Sequence, residues 1–137
     1  MVVTKIEYQA QYRYDHSDVG IEIPIVLMFG DSEVRLLAKV DTGSQFCIFQ
    51  RDYAERLGIV VENGIRTSIL TAGGTRFDVF GHDVTMSCLE WEFATMVYFA
   101  ESPGFNRNVV GRTGWLQKFR FALIEYDSML YLSHYDD

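Results

Sequence analysis

The tetrapeptide Asp41-Thr42-Gly43-Ser44 is where this chain could do chemistry. It follows the apolar-rich run Leu36-Leu37-Ala38-Lys39-Val40, so a carboxyl group stands at the end of an expected strand, with two hydroxyls nearby. Gly43 would let a substrate or a second loop come close to the backbone. Hydrolysis of an amide without a metal or a covalent nucleophile needs a base to take a proton from water and an acid to protonate the carbonyl oxygen. Two carboxyls sharing one site can do this, and one cannot. Asp and Gly are also ordinary turn residues, and the same tetrapeptide could simply end a strand.

Other constellations are weaker. Cys47 with His82 or His16 would make a thiol and a base, but nothing around Cys47 in the sequence activates it, so a buried structural thiol is expected. There is no Gly-x-Ser-x-Gly, no phosphate loop and no His-Glu-x-x-His. Cys47 and Cys88 form no Cys-x-x-Cys, which argues against a disulfide framework and a structural zinc site, and points to a reducing, cytoplasmic address.

The elements that must position Asp41 are strands. Apolar stretches rich in Val, Ile, Phe and Tyr alternate with Gly and acidic turns, the spacing of an all-β domain built from hairpins. Ile21 to Phe29, the turn Gly30-Asp31-Ser32 and Val34 to Val40 form a first hairpin that runs into Asp41. Gln50 to Leu57 reads as a short helix capped by Gly58. Ser68 to Thr71 and Arg76 to Phe80 flank Ala72-Gly73-Gly74-Thr75, a hairpin with a glycine tip. Val84 to Leu89 and Phe93 to Ala100 follow as two strands around Glu90-Trp91-Glu92. Val109-Val110-Gly111-Arg112 leads to an expected short helix over Thr113 to Lys118, and Phe119 to Tyr126 with Met129 to Leu132 close the chain.

The 137 residues, 48% hydrophobic and 23% charged, fit one globular domain that folds without staples. No internal repeat or linker divides them. A net charge of -7 with scattered basic residues makes nucleic acid and anionic membrane poor partners. The N-terminus is too polar for a signal peptide, and no apolar run approaches the roughly 20 residues of a membrane span.

A strand emptying into Asp-Thr-Gly, a glycine-tipped hairpin some way downstream and an apolar-apolar-Gly-Arg string occur here in that order. In these motifs the sequence resembles the retropepsin-like aspartic peptidases over nearly its whole length. The resemblance implies a closed, barrel-like all-β retropepsin fold with a flap hairpin and one or two short helices. Residues 21–132 would be its core, 1–20 an N-terminal extension and 133–137 a solvated tail. It implies Asp41 as the catalytic residue and Thr42, Gly43 and Ser44 as its support, with the Thr42 hydroxyl reaching a partner's loop. Ala72, Gly73 and Gly74 would form the flap over the substrate, with Val109 beside it, and Gly111 and Arg112 would pack behind the loop. A Ser44 hydroxyl donated to the Asp41 carboxylate would favour its charged form. No metal or cofactor is implied.

The chain has one Asp-Thr-Gly and lacks the length for two lobes, so the second carboxyl must come from a twofold-related copy. The implied enzyme is a homodimeric aspartic endopeptidase acting on peptide or protein. The alternative is a catalytically silent peptide-binding or dimerisation module with the same fold. Two positions depart from the retroviral pattern: Gln45 stands where an acid pairs with the Gly-Arg arginine, and Thr113 where Asp or Asn is common.

Overall fold

The structure is a computed structural model in which residues 1–135 are described. Residues 136 and 137, part of the expected tail, lie outside the described residues.

Alternation builds the first hairpin. In β2 (Glu22–Phe29) the residues Ile23, Ile25 and Leu27 are buried, and in β3 (Ser32–Val40) so are Val34, Leu36 and Ala38, while Arg35 and Leu37 face out. Burying each Ile, Leu or Val side chain here stabilises the fold by about 1.5–3 kcal/mol relative to exposure, which fixes the register, because a slip of either strand by one residue would turn its three buried residues outward. The strands pair antiparallel through a tight turn in which Gly30 has φ +57°.

After β3 come β4 (Ile48–Phe49) and α1 (Arg51–Arg56), and the chain leaves α1 through Gly58 at φ +79°, the left-handed residue expected there. The strands β5 (Ile65–Leu70), β6 (Arg76–Cys88), β7 (Trp91–Ala100) and β8 (Val109–Val110) complete the main sheet in the order β2-β3-β8-β4-β7-β6-β5. Ile25–Met28 of β2 also pair with Thr85–Cys88 of β6, so six of the strands close into a ring and β5 projects from it on the first half of β6. The chain is all-β in class, as expected.

β6 is one strand where the sequence suggested two. Gly81, within that strand, lies against the Tyr98 ring and the Met96 sulfur, where a Cβ would come within 3.0 and 3.1 Å of them. That glycine makes room for a neighbour and does not turn the chain.

A second sheet, β1-β10-β9, is formed by β1 (Ala10–Arg13), β9 (Phe119–Ile124) and β10 (Met129–His134). β1 lies inside the stretch expected as an extension, and β10 runs two residues into the expected tail. Ala10 to Arg13 pair with Leu132 to Met129, and Tyr14 beyond them is buried. Trp115, Phe119, Leu130 and Leu132 share one apolar core with Ile23, Ile25 and Phe49. Thr113 to Lys118 holds only a short 3-10 turn, Leu116–Lys118. Gly114, at φ +97° and pressed against the Met96 carbonyl, prevents a longer helix. No helix among the described residues is long and apolar enough to cross a membrane.

Candidate active site

Asp41 follows the last residue of β3. Its amide donates to Val110 O at 3.0 Å, and its carbonyl accepts the Ser44 amide at 3.1 Å, so the chain turns sharply at the end of the strand. The Gly43 amide donates to Asp41 Oδ1 at 3.0 Å. No other donor among the described residues holds the carboxylate, which is partly exposed. Thr42, at the crest of the turn, is exposed, and its hydroxyl makes no hydrogen bond among the described residues.

The Asp41 turn is stitched to the strand behind it. Arg112 N donates to Ser44 O at 2.9 Å and Thr113 N to Gln45 O at 2.8 Å. Gly111 passes so close that a Cβ there would meet Phe46 O at 2.4 Å and Ser44 O at 2.6 Å. Its amide donates to the Cys47 sulfur at 3.4 Å. Burial pushes the Cys47 thiol up to about 12, only partly opposed by that amide, so Cys47 is a packed thiol and not a nucleophile. His82 is engaged elsewhere, its Nε2 2.8 Å from Val61 O.

The Ser44 hydroxyl differs from expectation. It donates to Phe46 O at 2.7 Å rather than to Asp41, because the tight turn points it along its own chain. Arg112 contributes its backbone amide. Its side chain is exposed and makes no hydrogen bond or ion pair among the described residues.

Above the Asp41 turn, β5 and β6 form a hairpin closed by Thr71 N to Thr75 O at 2.9 Å and Gly74 N to Thr71 O at 2.9 Å. Gly74 has φ +85°, the left-handed residue of a three-residue hairpin loop, whereas Gly73 has no positive φ. Between this hairpin and the turn lies a cleft of about 480 Å³. Asp41, Gly43 and Ser44 contribute to its floor, Ala72 and Val109 also line it, and Gly73 and Gly74 lie beyond its lining. The sequence did not mark most of the apolar wall: Phe46, Ile48, Ile69, Leu70 and Phe105. Ile69-Leu70 directly before the glycine tip was the one available signal for it.

Residues 25–96, a little over half of the chain and including both the Asp41 turn and the flap-like hairpin, match the family model described as aspartyl protease. The chain belongs to the aspartyl protease family. Among solved structures, a retropepsin-like aspartic protease from Rickettsia conorii matches this aspartyl protease with a TM-score of 0.65 at 15% identity, covering 93% of this chain and 100% of that one. The EIAV protease, solved with the inhibitor HBY-793, matches with a TM-score of 0.54 at 18% identity, covering 72% of this chain and 86% of the other. At such identities the likeness is one of fold, and the fold is retropepsin-like. A search of curated protein sequences finds no match. Family and fold together support a protease function.

Proposed function

We propose that this aspartyl protease is an endopeptidase whose working unit is a homodimer, with Asp41 of each copy facing the other across one water. The observation that carries this reading is the state of Asp41: among the described residues it is the one carboxylate lining the cleft, held by a single amide on an exposed turn. The chemistry needs a second carboxyl, and an exposed turn is free to meet its own copy. Thr42, whose hydroxyl makes no hydrogen bond among the described residues, would bond the partner's turn.

Two carboxylates in contact share one proton, since two like charges at that distance cannot both ionise. The ionised Asp41 takes a proton from the water as its oxygen bonds to the peptide carbonyl carbon, and the protonated one gives its proton to the carbonyl oxygen. The resulting gem-diol collapses as the C–N bond breaks. The nitrogen leaves with the proton taken from water, and a diol hydroxyl returns its proton to the other carboxylate. The flap hairpin closes over the peptide and excludes bulk water.

Mixing wild type with Asp41→Asn under conditions of subunit exchange tests the shared site. A shared pair leaves about one quarter of the dimers active in an equal mixture, and activity follows the square of the wild-type fraction. A straight line would assign the site to a single chain. Absence of any cleavage by wild type, with peptides still bound, would favour a silent peptide-binding module instead.

A further inference from the structure

Arg107 differs from the rest of the cleft in its charge. The chain is acidic, with 19 Asp and Glu against 12 Lys and Arg, yet among the described residues the charged ones lining the cleft are one of each sign, Asp41 and Arg107. Asp41 belongs to the reaction. Arg107 is exposed, and among the described residues its guanidinium makes no ion pair and no hydrogen bond.

Its backbone is nevertheless anchored on both sides. Two residues earlier, Phe105 is buried, edge-on to Phe77 at 5.2 Å, with its amide donating to Ser102 O at 3.2 Å. On the other side, Asn108 is held by three hydrogen bonds: its side-chain amide donates to Gln50 Oε1 at 2.9 Å, its Oδ1 accepts Gln50 N at 3.0 Å, and its carbonyl accepts Lys39 N at 2.8 Å. A long cation is thus mounted at a fixed point on the cleft wall. Arg107 also borders an adjoining depression of about 170 Å³, which Lys39 and Glu22 line, so cations outnumber anions there.

A guanidinium is charged at every working pH and offers a planar fork of donors that fits a carboxylate through two parallel bonds. Beside it, Ile48, Phe105 and Val109 offer an apolar surface. We infer that the cleft selects peptides presenting a carboxylate side chain close to an apolar one, with Arg107 taking the carboxylate. This rests on the reading of the cleft as a peptide site. Arg107 then sets specificity and takes no part in the bond-breaking steps.

The test uses peptides with an apolar pair at the centre and Glu, Gln or Lys at each flanking position in turn, given to wild type and to Arg107→Glu. A thermal melt first checks that the exposed substitution leaves the fold intact. At one position wild type should favour Glu over Lys by about three- to tenfold in kcat/KM, the range for a partly desolvated charge pair, and Arg107→Glu should invert the order. Persistent cleavage with the same order in both proteins overturns the inference and leaves the endopeptidase reading standing. If wild type cleaves none of the peptides, the endopeptidase reading fails, and Arg107 is judged by binding of the same labelled peptides to the Asp41→Asn protein with and without Arg107→Glu. Tighter binding of the Glu peptide that inverts with Arg107→Glu supports the role. Equal affinities, or no binding of any peptide, overturn it.

Discussion

The side-chain amide of Gln45 donates a 2.8 Å hydrogen bond to the hydroxyl of Thr113. These are the two positions at which the chain departs from the retroviral pattern, and they meet each other. With the 2.8 Å backbone bond from Thr113 N to Gln45 O, they tie the Asp41 turn to the Gly-Arg segment without an ion pair. The Arg112 side chain makes no ion pair among the described residues.

This contact predicts a small, coupled energy. The side-chain bond is exposed, so Gln45→Ala and Thr113→Ala should each destabilise by about 0.5 kcal/mol, and the double variant by less than their sum, because the same bond is lost in all three. Urea unfolding at one fixed protein concentration measures the cycle. Additive losses would mean that the bond contributes nothing.

Gly111 and Arg112 should behave oppositely. A methyl at Gly111 would press into two carbonyl oxygens of the Asp41 turn, and Gly111→Ala should cost about 1–3 kcal/mol as overpacking, with activity lost as the turn shifts. Arg112→Ala removes only an exposed side chain and should stay within about 0.5 kcal/mol. Thermal melts of the two variants decide it, and equal losses would contradict the assignment.

The two glycines at the tip of the β5–β6 hairpin are also unequal. Only Gly74 has a positive φ. Gly74→Val should therefore strain the tip and lower turnover, whereas Gly73→Val should fit, since the nearest atom to its Cβ would be Thr71 Oγ1 at 4.0 Å. Comparison of kcat for the pair, with melts alongside, reads the difference.

Ser44→Ala was expected to move the pH profile upward through loss of a donor to Asp41. With the Ser44 hydroxyl on Phe46 O, the acidic limb of the pH-rate profile should stay in place and stability should fall by about 0.5–1.5 kcal/mol. A clear shift of that limb would show that the hydroxyl turns to the carboxylate in the working dimer.

Acid should loosen the β5–β6 hairpin through Asp78. The Ser68 hydroxyl at 2.9 Å and, after it, Arg66 at 2.8 Å hold the Asp78 carboxyl below its ordinary value of 3.8. A group depressed in the folded state stabilises it above the unfolded value, and that contribution is lost as pH falls below 3.8 and through the lower folded value. The effect is small because the site is open to water. Wild type should lose stability over this window more steeply than Asp78→Asn, as read from urea midpoints against pH, and parallel curves would refute the coupling.

What the sequence determined by itself was local. Ile23, Ile25 and Leu27 against Val34, Leu36 and Ala38 wrote the first hairpin in period two. Gly58 marked a left-handed position, and Asp41-Thr42-Gly43 marked a strand running into a carboxyl turn. Each of these signals lies within a few residues of the structure it dictates. The tertiary structure decided the rest. β2 closing on β6, β1 joining β10, and the Gly111–Thr113 backbone lying against Ser44–Phe46 are made by main-chain hydrogen bonds between segments far apart in the chain, and such bonds leave no imprint on side-chain type. Gly81 carried no signal and Gly114 lay inside an expected helix, and only the approach of Tyr98 to one and of Met96 O to the other showed what their missing side chains make room for. Arg107 is one cation among twelve in the sequence, and it acquires a setting only when Phe105 and Asn108 hold it on the wall above Asp41.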